Sequence, residues 1–182
     1  MDNKVKNTIL ELARLSIQDA LNGTSSINRT KILEDNPQLN ENRATFVTLN
    51  LNGNLRGCIG TLVAHDKLFD DLVLNARKAA FEDPRFPPLT QEEFEKIELE
   101  VSILSPQLEI KYANLSDLKS KIDIGDDGVF IRQGEKKATF LPQVWEQLPK
   151  FDDFLTHLFA KAGITQIDDP IDVFVYKVEK IS

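Results

Sequence analysis

Apolar residues recur at helical spacing from the start of the chain: Val5, Ile9, Leu12, Ile17 and Ala20, with Ser16 on the same stripe. Asn22-Gly23 supplies a stop, so the first element is predicted to be an amphipathic helix. Residues 24–42 are polar, with Pro37 and several asparagines, and read as a loop. "ATFVTLNLNGNLRGCIGTL" (44–62) reads as strand, turn at Asn52-Gly53-Asn54, and strand. Asp66 stands where it would cap a helix over 67–82, with Leu68, Leu72, Val73, Ala76 and Ala80 as its buried stripe. Pro84, Pro87 and Pro88 end that helix, and Thr90 with Glu93 has the form of a capping box for a short one. Ile97, Leu99, Val101 and Ile103 then alternate with Glu98, Glu100 and Ser102, the pattern of a half-buried strand.

After a short helical segment at Ser116–Lys121 the same order begins again. "GVFIRQGEKKATFLPQ" (128–143) predicts strand, turn at Gly134, and strand, with Pro142 at a helix N1 position. Residues 152–162 predict a helix with Phe154, Leu155, Leu158, Phe159 and Ala162 inward, stopped by Gly163; "IDVFVYKV" (171–178) closes as a strand apolar on both faces. From Gly53 to Lys78 is 25 residues, and from Gly134 to Lys161 is 27. That similarity predicts an internal duplication of a strand–strand–helix–strand unit, over about 44–104 and 128–178, within a single domain of residues 1–182. Hairpins in place of strict strand–helix alternation predict an α+β fold, with a largely antiparallel sheet flanked by helices.

Composition narrows the partners. The 182 residues carry 22 basic and 29 acidic side chains, a formal charge of −7. A broad phosphate-binding surface needs clustered Lys and Arg, so nucleic acid is a poor match for this balance. The small basic run "RQGEKK" (132–137) reads as a hairpin turn with solvated charges. One cysteine excludes an internal disulfide, which suits a reducing compartment. The N-terminal stripe is interrupted by Glu11, Arg14 and Asp19, unlike a signal peptide, and nowhere do about 18 apolar residues run together. A soluble, cytoplasmic protein is the expectation.

The chemistry centres on "NLRGCIGT" (54–61). Strict alternation puts Leu55, Gly57 and Ile59 on one side, where Leu55 and Ile59 would pack inward, and Arg56, Cys58 and Gly60 on the other. Gly57 would then admit a helix, while a guanidinium beside Cys58 would favour its thiolate. The plainer alternative is a small buried hydrophobe beside glycines that mark bulges or close backbone contact. Only His65 and His157 could serve as a base, and neither completes a recognisable triad pattern. One Cys and two His match no zinc spacing, and no phosphate-binding glycine loop or cofactor motif is present, so neither metal nor cofactor is expected. "EDPRFPPL" (82–89) is the second unusual stretch, since its prolines hold Asp83, Arg85 and Phe86 at fixed angles; Gln143 is a further polar group able to face a cleft.

Taken in order, "ATFVTLNLNGNLRGCIGTL", "AFEDPRFPPLTQEEF", "IELEVSILSP", "GVFIRQGEKKATFLPQV" and "FLTHLFAKAGI" resemble the AMMECR family, whose bacterial members are called AmmeMemoRadiSam system protein A. "LRGCIG" is that family's hallmark, and the resemblance runs from the first helix to about residue 178. The segment "WEQLPKFDDF" departs from the Gly-Trp-Asp type sequence often found before the last helix. The resemblance implies an α+β domain with a larger and a smaller lobe, the hallmark segment lining a cleft between them. It implies partners of two kinds, a MEMO-like (extradiol dioxygenase-like) protein and a radical SAM enzyme, in a modification or redox pathway. It carries no assigned reaction, so whether the chain is an enzyme stays open. As an enzyme component it would use Cys58 as nucleophile or substrate contact, Arg56 as its anion-holding neighbour, and Gly57, Gly60, His65, Asp83, Arg85, Phe86 and Gln143 as the surrounding cleft. As a non-catalytic adaptor it would dock a protein through the same region. Selective RNA contact fits the net charge poorly.

Overall fold

A computed structural model describes residues 1–165 and 170–182. The chain forms two compact units, Met1–Leu104 with Glu179–Ser182, and Ser105–Val178. The strands lie in two four-stranded sheets with helices against them, an α+β fold.

The first unit opens with α1 (Asn3–Asn22), which buries Val5, Ile9, Leu12, Ala13, Ser16 and Ile17. Each aliphatic side chain of that stripe contributes about 1.5–3 kcal/mol through removal from water. Ala20, placed on the stripe by periodicity, is exposed, and the neighbouring Asp19 is buried instead. Its carboxylate accepts from Thr24 Oγ1 (2.7 Å) and the Ser26 backbone N–H (2.8 Å), closing the helix end. The predicted polar loop at 24–42 contains a helix, α2 (Arg29–Asp35), capped by the Asn28 side chain, and a 3₁₀ turn at Pro37–Asn40. Ile27, Ile32, Leu33 and Leu39 from this stretch pack on the core, apolar contacts too sparse to show as a period.

β1 (Ala44–Leu51) and β2 (Asn54–Gly60) form the expected hairpin, and β3 (Ile97–Leu104) pairs antiparallel with the other edge of β1. With the C-terminal strand β8 (Val178–Ile181) the order is β2-β1-β3-β8, so β2 is an edge strand. α3 (Leu68–Phe81) lies on the Val47/Leu49 face of this sheet, and its N-cap is Lys67; Asp66 does not cap it. The first turn is held from inside instead. Asp71 is buried, and its Oδ2 accepts from the Thr45 backbone N–H (2.7 Å), the Thr45 hydroxyl (2.6 Å) and the Asn75 amide (2.9 Å). α4 (Gln91–Phe94) carries the capping box of Thr90 and Glu93.

In the second unit β4 (Leu108–Ile110), α5 (Leu115–Lys121), β5 (Gly128–Gln133), β6 (Lys136–Phe140), α6 (Val144–Gln147), α7 (Phe151–Ala162) and β7 (Asp172–Tyr176) form the sheet β4-β7-β5-β6 and its covering helices. Here too a hairpin, a helix and a third strand follow one another, with the third strand pairing to the first of the hairpin. Pro142 lies in a turn ahead of α6, whose N-cap is Gln143, so helix α6 starts later than Pro142 suggests. The α7 residues Phe154, Leu155 and Leu158 are buried against Val129, Ile131 and Val173. Trp145 stacks on Phe154 with ring centroids 3.5 Å apart and 6° between planes, and its Nε1 donates to the Asp127 carbonyl at 2.8 Å.

Candidate functional site

The hairpin does not keep strict alternation through the hallmark segment. Leu49 pairs with Gly57, but Asn50 pairs with Leu55, so Arg56 is an extra residue with no partner on β1. This bulge reverses the side-chain order beyond it. Leu55 therefore shares the face of Asn50, Thr48 and Cys58 and is 43% exposed, against the expectation that it packs inward. Gly57 does lie against the helix: a Cβ there would sit 2.1 Å from the Ala79 carbonyl oxygen of α3. Gly60 is equally constrained on the opposite face, where a Cβ would meet the Phe46 ring at 2.2 Å.

The bulge turns Arg56 into the protein, and its side chain is only 8% exposed. Arg56 Nε donates to Glu93 Oε1 and Nη2 to Glu93 Oε2, both at 2.9 Å, and Nη2 also donates to the Pro87 carbonyl at 2.9 Å. Such a two-point guanidinium–carboxylate pair is stronger than a single contact. Glu93 Oε2 accepts the Thr90 N–H as well, so one carboxylate closes the capping box and neutralises the buried arginine. The Arg56 guanidinium, helped by the Thr90 N–H, holds the Glu93 carboxyl down at about 2. Arg56 Nη1 is buried without a hydrogen-bond partner among the described residues.

The proline-rich loop after α3 makes a second such pair. Asp83, almost fully buried, receives Arg85 Nε on Oδ1 (2.9 Å) and Arg85 Nη2 on Oδ2 (2.7 Å). Oδ2 also accepts the Cys58 backbone N–H at 2.8 Å, and Arg85 Nη2 donates to the Cys58 carbonyl at 3.3 Å. The Arg85 guanidinium beside it keeps the Asp83 carboxyl well below the usual carboxylate range, and Asp83 in turn raises Arg85. Phe86 lies between the two arginines, its ring centroid 5.7 Å from the Arg56 guanidinium carbon and 5.5 Å from that of Arg85. The segments "LRGCIG" and "DPRFPPL" are thus locked together by three hydrogen bonds, Arg56 to the Pro87 carbonyl, the Cys58 N–H to Asp83 and Arg85 to the Cys58 carbonyl, with an ion pair behind each arginine.

Cys58 stands half-buried on the other side of this lock. Its Sγ accepts a hydrogen bond from the Thr48 hydroxyl across the strand pair at 3.3 Å. Arg56 is bound to Glu93, while Arg85 reaches the Cys58 backbone. His65 is exposed in the loop between β2 and α3, and no hydrogen bond joins it to Cys58 among the described residues. Gln143 belongs to the second unit, where its Oε1 is buried without a hydrogen-bond partner among the described residues. Two partners escaped the sequence reading. Glu93 was visible only as a capping residue, because its second bond depends on how the proline loop folds back. Thr48 was visible only as a strand residue, because its place opposite Cys58 depends on the hairpin register. No described helix is long and apolar enough to cross a membrane.

The sequence pattern of the AMMECR1 family matches residues 10–181. The chain belongs to the AMMECR1 family. Among AMMECR1 relatives it is similar to a protein of Methanothermobacter thermautotrophicus, 36% identical over 163 residues, which cover 86% of this chain and 81% of the relative. Protein NEQ441 of Nanoarchaeum equitans is 33% identical over 178 residues, 93% of this chain and 95% of the relative. The crystal structure of the uncharacterized protein PH0010 from Pyrococcus horikoshii is similar throughout, with a TM-score of 0.85 and 30% identity, covering 99% of this chain and 92% of that one.

Proposed function

We propose that this AMMECR1 chain is an accessory component of a modification or redox pathway whose chemistry belongs to MEMO-like and radical SAM partners. Its contribution is to hold a ligand or substrate group at the β2 surface around Cys58, with Arg56 bracing that strand from inside. The observation that supports this is the distribution of bonds among the polar side chains. Arg56, Glu93, Asp83 and Arg85 are engaged with one another and with backbone groups, which makes the surface rigid. Cys58 and Thr48 stand on that surface as the groups able to meet a ligand. A rigid support of this kind lowers the ordering cost of binding.

The adaptor reading rests on a different observation. Leu55 is exposed on the Cys58 face, and the loop bonded to β2 exposes Pro84, Pro87 and Pro88. Two variants separate the readings in a strain that lacks its own copy of the gene. Cys58→Ala abolishes complementation if the thiol meets the ligand, while Leu55→Asp leaves it intact. The opposite result transfers the role to the apolar surface. Full complementation by Cys58→Ala, with a Cys58 that iodoacetamide cannot alkylate in the folded native protein, removes the ligand-contact role.

A further inference from the structure

The Asp83–Arg85 pair does something that neither reading above requires. Antiparallel neighbours alternate between residues that exchange backbone bonds and residues whose N–H and C=O point away from each other. The Cys58 N–H is bonded to Asp83, so the Thr48–Cys58 pair is of the second kind, and the peptide groups of Cys58 point outward from the sheet. β2 is an edge strand, and an open edge is a template for another chain. At Cys58 the template is filled. The Asp83 carboxylate takes the outward N–H as a strand carbonyl would, and the Arg85 guanidinium donates to the outward C=O as a strand amide would. The rest of the edge is protected in other ways. Arg56 is bulged out of register on one side of Cys58, and Pro84, Pro87 and Pro88 in the covering loop have no N–H with which to extend the ladder.

We infer that the Asp83–Arg85 ion pair is an edge cap: it stands in for the backbone of a neighbouring strand at Cys58 and keeps two copies of this chain from joining through β2. The occupant excluded is a second β2, because antiparallel pairing centred on Cys58 is self-complementary. Each Cys58 would give its N–H to the other's carbonyl, in the place of Asp83 and Arg85. The Cα atoms of such a bonded pair lie about 5.5 Å apart, within the range a disulfide spans. Cys58 is the chain's only cysteine, so a cross-linked dimer reports this contact and no other disulfide.

The test compares the native protein with Asp83→Ala/Arg85→Ala and with Arg85→Ala alone. Arg85→Ala removes the donor to the Cys58 carbonyl from a side chain that is 54% exposed, and leaves Asp83 its bonds from the backbone N–H groups of Cys58 and residue 85. At a dilution that keeps the double variant monomeric, its Cys58 amide exchanges about 10- to 100-fold faster, the factor for one lost charge-assisted hydrogen bond. Light scattering shows a concentration-dependent increase in dimer over the native protein. Diamide, which takes up the two electrons and two protons released by two thiols, converts that dimer to a Cys58–Cys58 disulfide. Arg85→Ala shows the same changes to a smaller degree. The inference is overturned if the Cys58 amide of the dilute, monomeric double variant is no faster than the native one, or if it is faster while association and cross-linking at higher concentration stay at the native level. If the double variant does not fold, native-level cross-linking in Arg85→Ala overturns it equally.

Discussion

Gly57→Ala places one methyl group where the structure has no room for it. Its Cβ would lie 2.1 Å from the Ala79 carbonyl oxygen and 3.2 Å from the Ala79 carbonyl carbon, both backbone atoms of α3. No side-chain rotation relieves that contact, so the helix must retreat from β2 by about 1 Å. A gap of that size forfeits roughly a quarter to a half of each affected dispersion contact, and overpacking a filled core costs about 1–3 kcal/mol. α3 cannot tilt freely to share the strain, because the Asp71 bonds to Thr45 fix its first turn to β1. The upper end, about 3 kcal/mol, is therefore expected, or a fall of about 6–12 °C in Tm for a chain of this length. Far-UV circular dichroism during heating measures the loss, and hydrogen exchange at Val47 and Leu49 locates it in the first unit. Gly53→Ala is the control: it adds its methyl in open space and costs about 1 kcal/mol through its positive φ alone. Equal midpoints for the two variants would refute the packing argument.

Glu93→Ala leaves the Arg56 guanidinium buried without its carboxylate and costs about 3 kcal/mol in urea unfolding, the low end for a broken buried pair because Glu93 itself is partly exposed. Acid should reproduce part of that loss. The Glu93 carboxyl titrates near 2 in the fold and Asp83 is depressed as well, both below their unfolded values. The stability they contribute is complete above about pH 5 and disappears as the pH falls from about 4.5 toward 2, and the Glu93→Gln variant has a flatter profile across that window. Asp71→Ala deprives the Thr45 N–H, the Thr45 hydroxyl and the Asn75 amide of an acceptor and costs about 3 kcal/mol, measured as a shift in the urea midpoint.

Periodicity located the helices and strands well where one face is buried throughout. The stripe of Val5, Ile9, Leu12 and Ile17 is α1, and the alternation from Ile97 to Ile103 is β3. It failed where single contacts decide. α2 was missed because Ile32 and Leu33 supply too few apolar positions to show a period, although Asn28 was an available cap signal. The orientation of Leu55 was misread because alternation assumes an unbroken ladder, and a one-residue bulge reverses every side chain past it. Arg56 was expected beside a thiol, two residues away in sequence, and is bonded to Glu93, 37 residues away. A short sequence distance says which groups are neighbours on the chain. The folding of the proline loop decides which of them meet.

The Trp145–Phe154 stack has an optical consequence. Trp145, Tyr112 and Tyr176 are the chain's only indole and phenols, and all three lie between residues 105 and 178. Intrinsic fluorescence therefore belongs to one unit, while the hallmark segment sits in a unit whose only aromatic residues are phenylalanines. An unfolding curve followed by emission is blind to β2, and the same curve followed by backbone ellipticity is not. The difference between the two traces isolates the half of the molecule that carries Cys58, without a label and without a mutation.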